Sequence, residues 1–195
     1  MWRAAALAFC LAAAPAHAQQ TDSGLIEPAG VMDFSEALPE GYPPKMGDVA
    51  GRLDRRPVAW ETFDFSVGAF DASAWIDKQG KDSLRLTINA YPPGDPDTDD
   101  NRLSVVALFD ALPTPGSMTA SVTVEILDRW GKKARLASAR RPATLTIDSI
   151  TVGNGSGYGR ASGQITARLC PMGGKSGPCR DFSARFDTVL QYEGL

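Results

Sequence analysis

From Met46 to Tyr192 the apolar residues recur at every second position, in one short segment after another. No window longer than about one turn carries the i, i+3, i+4 stripe of a helix. A period of two sends successive side chains to opposite faces of a pleated strand. In "LRLTINAY" Leu84, Leu86 and Ile88 share one face, and Arg85, Thr87 and Asn89 the other. Ile165, Ala167 and Leu169 share a face in "ASGQITARL", and Phe182, Ala184 and Phe186 do so on the return. "SMTASVTVEIL" reads as one strand with Met118, Ala120, Val122, Val124 and Ile126 inward. "VAWETFDFSV" places Ala59, Phe63 and Phe65 on one side and Trp60 on the other. "RLSVVALFD" is apolar on both faces and belongs in the middle of a sheet. In "TIDSITV" the apolar phase slips between Ile147 and Ile150, which predicts a bulge.

Clusters of Gly, Pro, Asn and Asp, "DRRP" among them, separate these segments. The expected fold is all-β: an antiparallel, immunoglobulin-like β-sandwich of roughly nine or ten short strands, with a lipocalin-like β-barrel as the alternative. "GRASGQITARLC" with its cysteine-bearing return strand resembles the closing hairpins of exported bacterial β proteins, over that hairpin only. The resemblance implies neither a family nor an activity.

The strands follow a different kind of segment. Arg3, an apolar run over Ala4–Ala14 and the small-x-small triplet Ala16-His17-Ala18 make a secretory signal peptide, with cleavage expected after Ala18. The run is too short to span a bilayer. Residues 19–45 carry Pro28, Pro39, Pro43 and Pro44 and read as an extended leader; 46–195 read as a single β domain. The mature chain then has 177 residues and a formal charge of −4. That mild imbalance gives no reason to expect a nucleic-acid partner. The expected location is the bacterial periplasm or the exterior.

Cleavage also removes His17, the only histidine. The mature chain therefore excludes imidazole-based triads and imidazole metal ligands. Cys170 and Cys179 are the cysteines that remain. They offer too few ligands for zinc, and no helix start follows to stabilise a reactive thiolate. Both fall on outward positions at the mouth of one hairpin, in an oxidising compartment. A structural disulfide is expected, worth about 2–3 kcal/mol by loop-closure entropy. It would leave no thiol nucleophile, and no cofactor or metal is expected.

Asp95, Asp97 and Asp99 alternate in "PPGDPDTDDNR", which raises calcium, but the loop lacks the glycine and closing glutamate of an EF-hand. "GNGSGYGRASG" has neither the lysine of a phosphate loop nor a helix to follow it. Asp64, Asp71, Asp148, Asp181 and Asp187 lie in or beside strands, where a pair of carboxylates is the one hydrolytic device still open. Trp60, Trp75, Trp130 and Tyr91 are candidates for a sugar or peptide groove, or for core. Arg129, Trp130, Lys132, Lys133, Arg140 and Arg141 concentrate positive charge at two turns and are the candidate contacts to an anionic partner.

The expectation is an exported, non-enzymatic domain with a binding or structural role in the envelope. Its partner would be an envelope protein, a glycan or a lipid surface. Two alternatives stand beside it: a protease inhibitor presenting the Cys170–Cys179 loop, and a carboxylate-based hydrolase.

Overall fold

The computed structural model describes residues 43–65, 72–80, 83–128, 131, 133–139, 141–174 and 176–195. The expected signal peptide over residues 1–18 and the expected leader as far as Tyr42 lie outside these residues. All regular structure among the described residues is β-strand, so no helix among them is long and apolar enough to cross a membrane.

Strands β1 (Lys45–Leu53) and β2 (Arg56–Phe63) form a hairpin across Asp54 and Arg55, in the "DRRP" turn. Asp54 takes φ 56°, a left-handed conformation that aspartate tolerates in turns. Strands β3 (Ala74–Gln79), β4 (Ser83–Ala90) and β5 (Leu103–Phe109) make an antiparallel meander. β6 (Met118–Thr119), β7 (Val122–Leu127), β8 (Ala134–Ala137) and β9 (Ala143–Thr151) follow. The chain closes with the long hairpin of β10 (Gly157–Pro171) and β11 (Arg180–Glu193).

This hairpin organises the fold. Its middle is flanked by β9 on one side and by β1, then β2, on the other. Each of its strands also reaches the other half of the molecule. Cys170 and Pro171 pair with β8, while Gln191–Glu193 pair in parallel with Trp75–Asp77 of β3. Hydrogen bonding therefore runs round a closed circuit of seven strands, β3, β4, β5, β7, β8, β10 and β11. The architecture is one mixed eleven-stranded sheet that closes on itself through this circuit, with the parallel β3–β11 pairing where an all-antiparallel sandwich was expected. The space inside is filled. Val49, Trp60, Leu145, Ile165, Leu169 and Phe186 meet Ile76, Leu86, Val105 and Val124 in one core.

The expected phases hold along most strands. Ile165, Leu169, Phe182 and Phe186 are buried, and β5 lies between two neighbours. The bulge in "TIDSITV" is present: β9 skips Asp148 between the rungs at Ile147 and Ser149.

One segment departs from expectation. "SMTASVTVEIL" is not one strand. Met118–Thr119 bonds to β9 and Val122–Leu127 to β5, and the chain crosses from one partner strand to the other at Ala120 and Ser121. Met118 and Ala120 are consequently exposed rather than core. This crossing makes eleven strands where nine or ten were expected. The split expected in β2 holds: Trp60 faces the core, edge-on to Phe182 at 6.0 Å, while Ala59 on the opposite side is exposed. Phe63 lies on the other side of β2 and is covered by Phe65 and Tyr91. Local alternation does not say which of two apolar faces meets the core.

Candidate functional site

β1 and β11 present the same outward order, a small residue and then an arginine: Ala50 and Arg52 on β1, Ser183 and Arg185 on β11. Antiparallel register sets Arg52 opposite Ser183 and Ala50 opposite Arg185. β10 adds Thr166 beside Ser183 and Gln164 beside Arg185. The short side chains form a floor and the long ones stand as walls, enclosing an open groove of about 310 Å³. Arg52 and Arg185 lie on a diagonal of the ladder, where cross-strand neighbours are about 7–8 Å apart.

Three neighbouring arginines on β10 and β11 are each spent on a carboxylate. Arg160 meets Asp187 at 2.8 Å, Arg168 meets Asp181 at 2.5 Å, and Arg180 meets Asp54 at 3.1 Å. The hydrogen bond from Arg160 to Asp187 raises the guanidinium's pKa further. At the far end of β1, Lys45 lies 2.8 Å from both Asp48 and Glu61. Burial lowers its pKa, but the hydrogen bonds and charges of these two carboxylates outweigh burial, and the net shift is upward.

Arg52 and Arg185 have no ion-pair or hydrogen-bond partner among the described residues, and no carboxylate lines the groove. The Ser183 hydroxyl is likewise free, whereas Thr166 bonds Thr144 at 2.7 Å and the Gln164 amide leans 3.3 Å toward Asp148. The groove thus offers two guanidinium forks, a hydroxyl and an amide. These groups have the chemistry to receive an anion; none is a base able to activate Ser183.

The residues singled out in the sequence are distributed elsewhere. Cys170 and Cys179 form a disulfide, S–S 2.07 Å, next to the Leu169–Arg180 rung of the β10–β11 ladder. A disulfide fits an extracellular or periplasmic setting. Beyond the half-buried Pro171 the loop it closes is exposed at its described positions, and the Met172 amide donates to the Arg135 carbonyl at 3.1 Å. Arg129, Trp130, Lys132 and Arg140 lie outside the described residues. Lys133 and Arg141 are exposed in the turns before and after β8. The strand separates them by about 13 Å, so they do not make one patch. Arg141 belongs instead beside β10, where the Arg168 amide donates to the Pro142 carbonyl.

The acidic loop is ordered by its neighbours. Trp60 Nε1 donates to Asn101 O at 2.7 Å, the Gly94 amide to Glu61 at 2.8 Å, and Asp99 pairs with Arg102 at 2.8 Å. Among the described residues no three acidic, cysteine or histidine groups converge as a cation site would require. Asp148, Asp181 and Asp187 are held by Gln164, Arg168 and Arg160, and none lines the groove. Asp71 lies outside the described residues, Trp60 is core, and Tyr91 is covered by Phe63, Phe65 and Arg102.

Comparison of the chain with protein-family models, with curated proteins and with solved structures returns no match. The site must therefore be read from its own chemistry. Residue parity marks Arg52 and Arg185 as outward, each flanked by inward residues in "GRL" and "ARF". Nothing in the sequence says that the two strands are neighbours.

Proposed function

We propose that this protein is an exported, non-catalytic binding domain whose partner in the envelope is anionic. The outer face of the β1–β11–β10 sheet is its contact surface. The observation that carries this reading is the unpaired state of Arg52 and Arg185 beside three arginines that each hold a carboxylate. Two uncompensated guanidiniums on a rigid sheet attract an anion at little ordering cost. The signal-like first eighteen residues and the disulfide supply the export half of the proposal.

The test is chromatography of the mature chain on a phosphate-bearing cation exchanger at neutral pH. A chain with a formal charge of −4 should flow through if charge acted only in sum. Retention at low salt, lost as salt shortens the Debye length and abolished by Arg52→Glu/Arg185→Glu, is the expected result. Retention equal in wild type and that variant would reject the surface. Retention abolished only by Lys132→Glu/Lys133→Glu would move the contact to the β7–β8 turn.

The exposed, disulfide-closed loop between Cys170 and Cys179 supports a second reading, presentation to a protease. Inhibition of a panel of secreted proteases, lost on reduction of the disulfide, would favour it.

A further inference from the structure

We infer that the groove between Arg52 and Arg185 takes a phosphorylated sugar unit, the phosphate on the two guanidiniums and the sugar hydroxyls on Ser183, Thr166 and Gln164. The inference deepens the reading of this face as an anion-binding surface and rests on it. Three observations narrow the ligand.

The first concerns the anion. Guanidiniums on different strands, diagonal to each other, approach a ligand from two directions. A planar carboxylate satisfies one fork. A tetrahedral phosphate monoester has three free oxygens and nearly two charges, enough for both forks. The second concerns the rest of the ligand. The floor and far wall carry a free hydroxyl at Ser183, a threonine hydroxyl and an amide, a donor and acceptor set suited to hydroxyl groups. A volume of about 310 Å³ leaves room beyond a bare phosphate and lies at the small end of ligand sites. The third concerns what is missing from the rim. The apolar groups at the groove are Ala50, Gly51, Ile165 and Ala184, none a large exposed side chain. Insertion into an acyl layer requires exposed Trp, Phe or Leu. A polar phosphosugar fits this rim and a lipid bilayer does not.

Calorimetry of the mature, oxidised protein with glucose 6-phosphate, inorganic phosphate, glucuronate and glucose tests this. Glucose 6-phosphate should bind most tightly, at least tenfold better than glucuronate or glucose and measurably better than inorganic phosphate. Arg52→Gln/Arg185→Gln should weaken it at least tenfold, and Arg160→Gln, which alters a paired arginine on the same face, should leave it unchanged. Ser183→Leu fills the floor without altering charge. It should abolish glucose 6-phosphate binding while leaving retention on the cation exchanger intact.

Equal affinity for inorganic phosphate and glucose 6-phosphate would overturn the sugar half. Equal affinity for glucuronate would overturn the phosphate half. Absence of binding, or binding unaffected by both groove variants, would overturn the whole. Column retention that depends on Arg52 and Arg185, without glucose 6-phosphate binding, would overturn this inference and leave the anionic-partner reading standing.

Discussion

On its inner face the β10–β11 hairpin carries Ile165, Ala167, Leu169, Phe182, Ala184 and Phe186, all buried; on its outer face the same strands carry Arg160, Gln164, Arg168, Ser183 and Arg185, all exposed. The two sets alternate residue by residue, yet they act on different scales. A large apolar side chain taken fully out of water stabilises by about 1.5–3 kcal/mol. An exposed ion pair such as Arg160–Asp187 contributes about 0–1 kcal/mol. Stability therefore lives on the inner face. The outer face can leave two arginines unpaired at little cost to the fold, and those groups remain available to a ligand.

The largest expected effect tests the inner face. Phe186 is buried against Gly163, where an added Cβ would lie 2.7 Å from the ring. The close packing leaves the site little freedom to collapse. Phe186→Ala should destabilise by about 3–5 kcal/mol in urea denaturation. A loss below about 1 kcal/mol would show that the two faces do not differ as described.

An intermediate effect is expected at the end of the hairpin. Removing the disulfide with Cys170→Ser/Cys179→Ser should cost about 2–3 kcal/mol, seen as an earlier melt of a still folded protein. Cation-exchange retention should survive, because the groove lies along the ladder from the cysteines. Loss of retention without loss of folding would join the disulfide to the binding surface.

The smallest effect belongs to a charge at the start of β1. Lys45 has a pKa in the folded state above its ordinary value. Its pairing with Asp48 and Glu61 therefore contributes fully below the unfolded pKa of about 10.4 and is lost as pH rises through the higher folded value. Wild type should lose more stability between about pH 9 and 12 than Lys45→Met. Parallel curves for the two would show that this pairing contributes nothing.

Much of the fold was legible because strand parity is a local property. The inward residues of β4, β10 and β11, the bulge at Asp148 and the disulfide each follow from spacing within one or two neighbouring strands. The crossing at Ala120–Ser121 was not legible. Residues on both sides of it keep the same alternation, and the change of partner from β9 to β5 is a long-range event. Which face of β2 meets the core was not legible for a similar reason. β2 is apolar on both faces, and the second face is covered by Phe65 and by Tyr91 from a distant loop.

The candidate groove divides in the same way. The sequence by itself determined that Ala50, Arg52, Ser183 and Arg185 point outward, because their neighbours Val49, Leu53, Ala184 and Phe186 are apolar and a strand has period two. Tertiary structure decided that β1 lies beside β11 and in which register. With Arg52 opposite Ser183 and Arg185 opposite Ala50, each long cationic side chain faces a short one, and a groove opens between them. A slip of two residues would keep every side chain on its proper face but set Arg52 directly against Arg185, closing the groove with like charges. Parity is read from adjacent residues along one strand, whereas register depends on the docking of the Asp54 turn onto Arg180 and Asp181, more than 120 residues away in the chain.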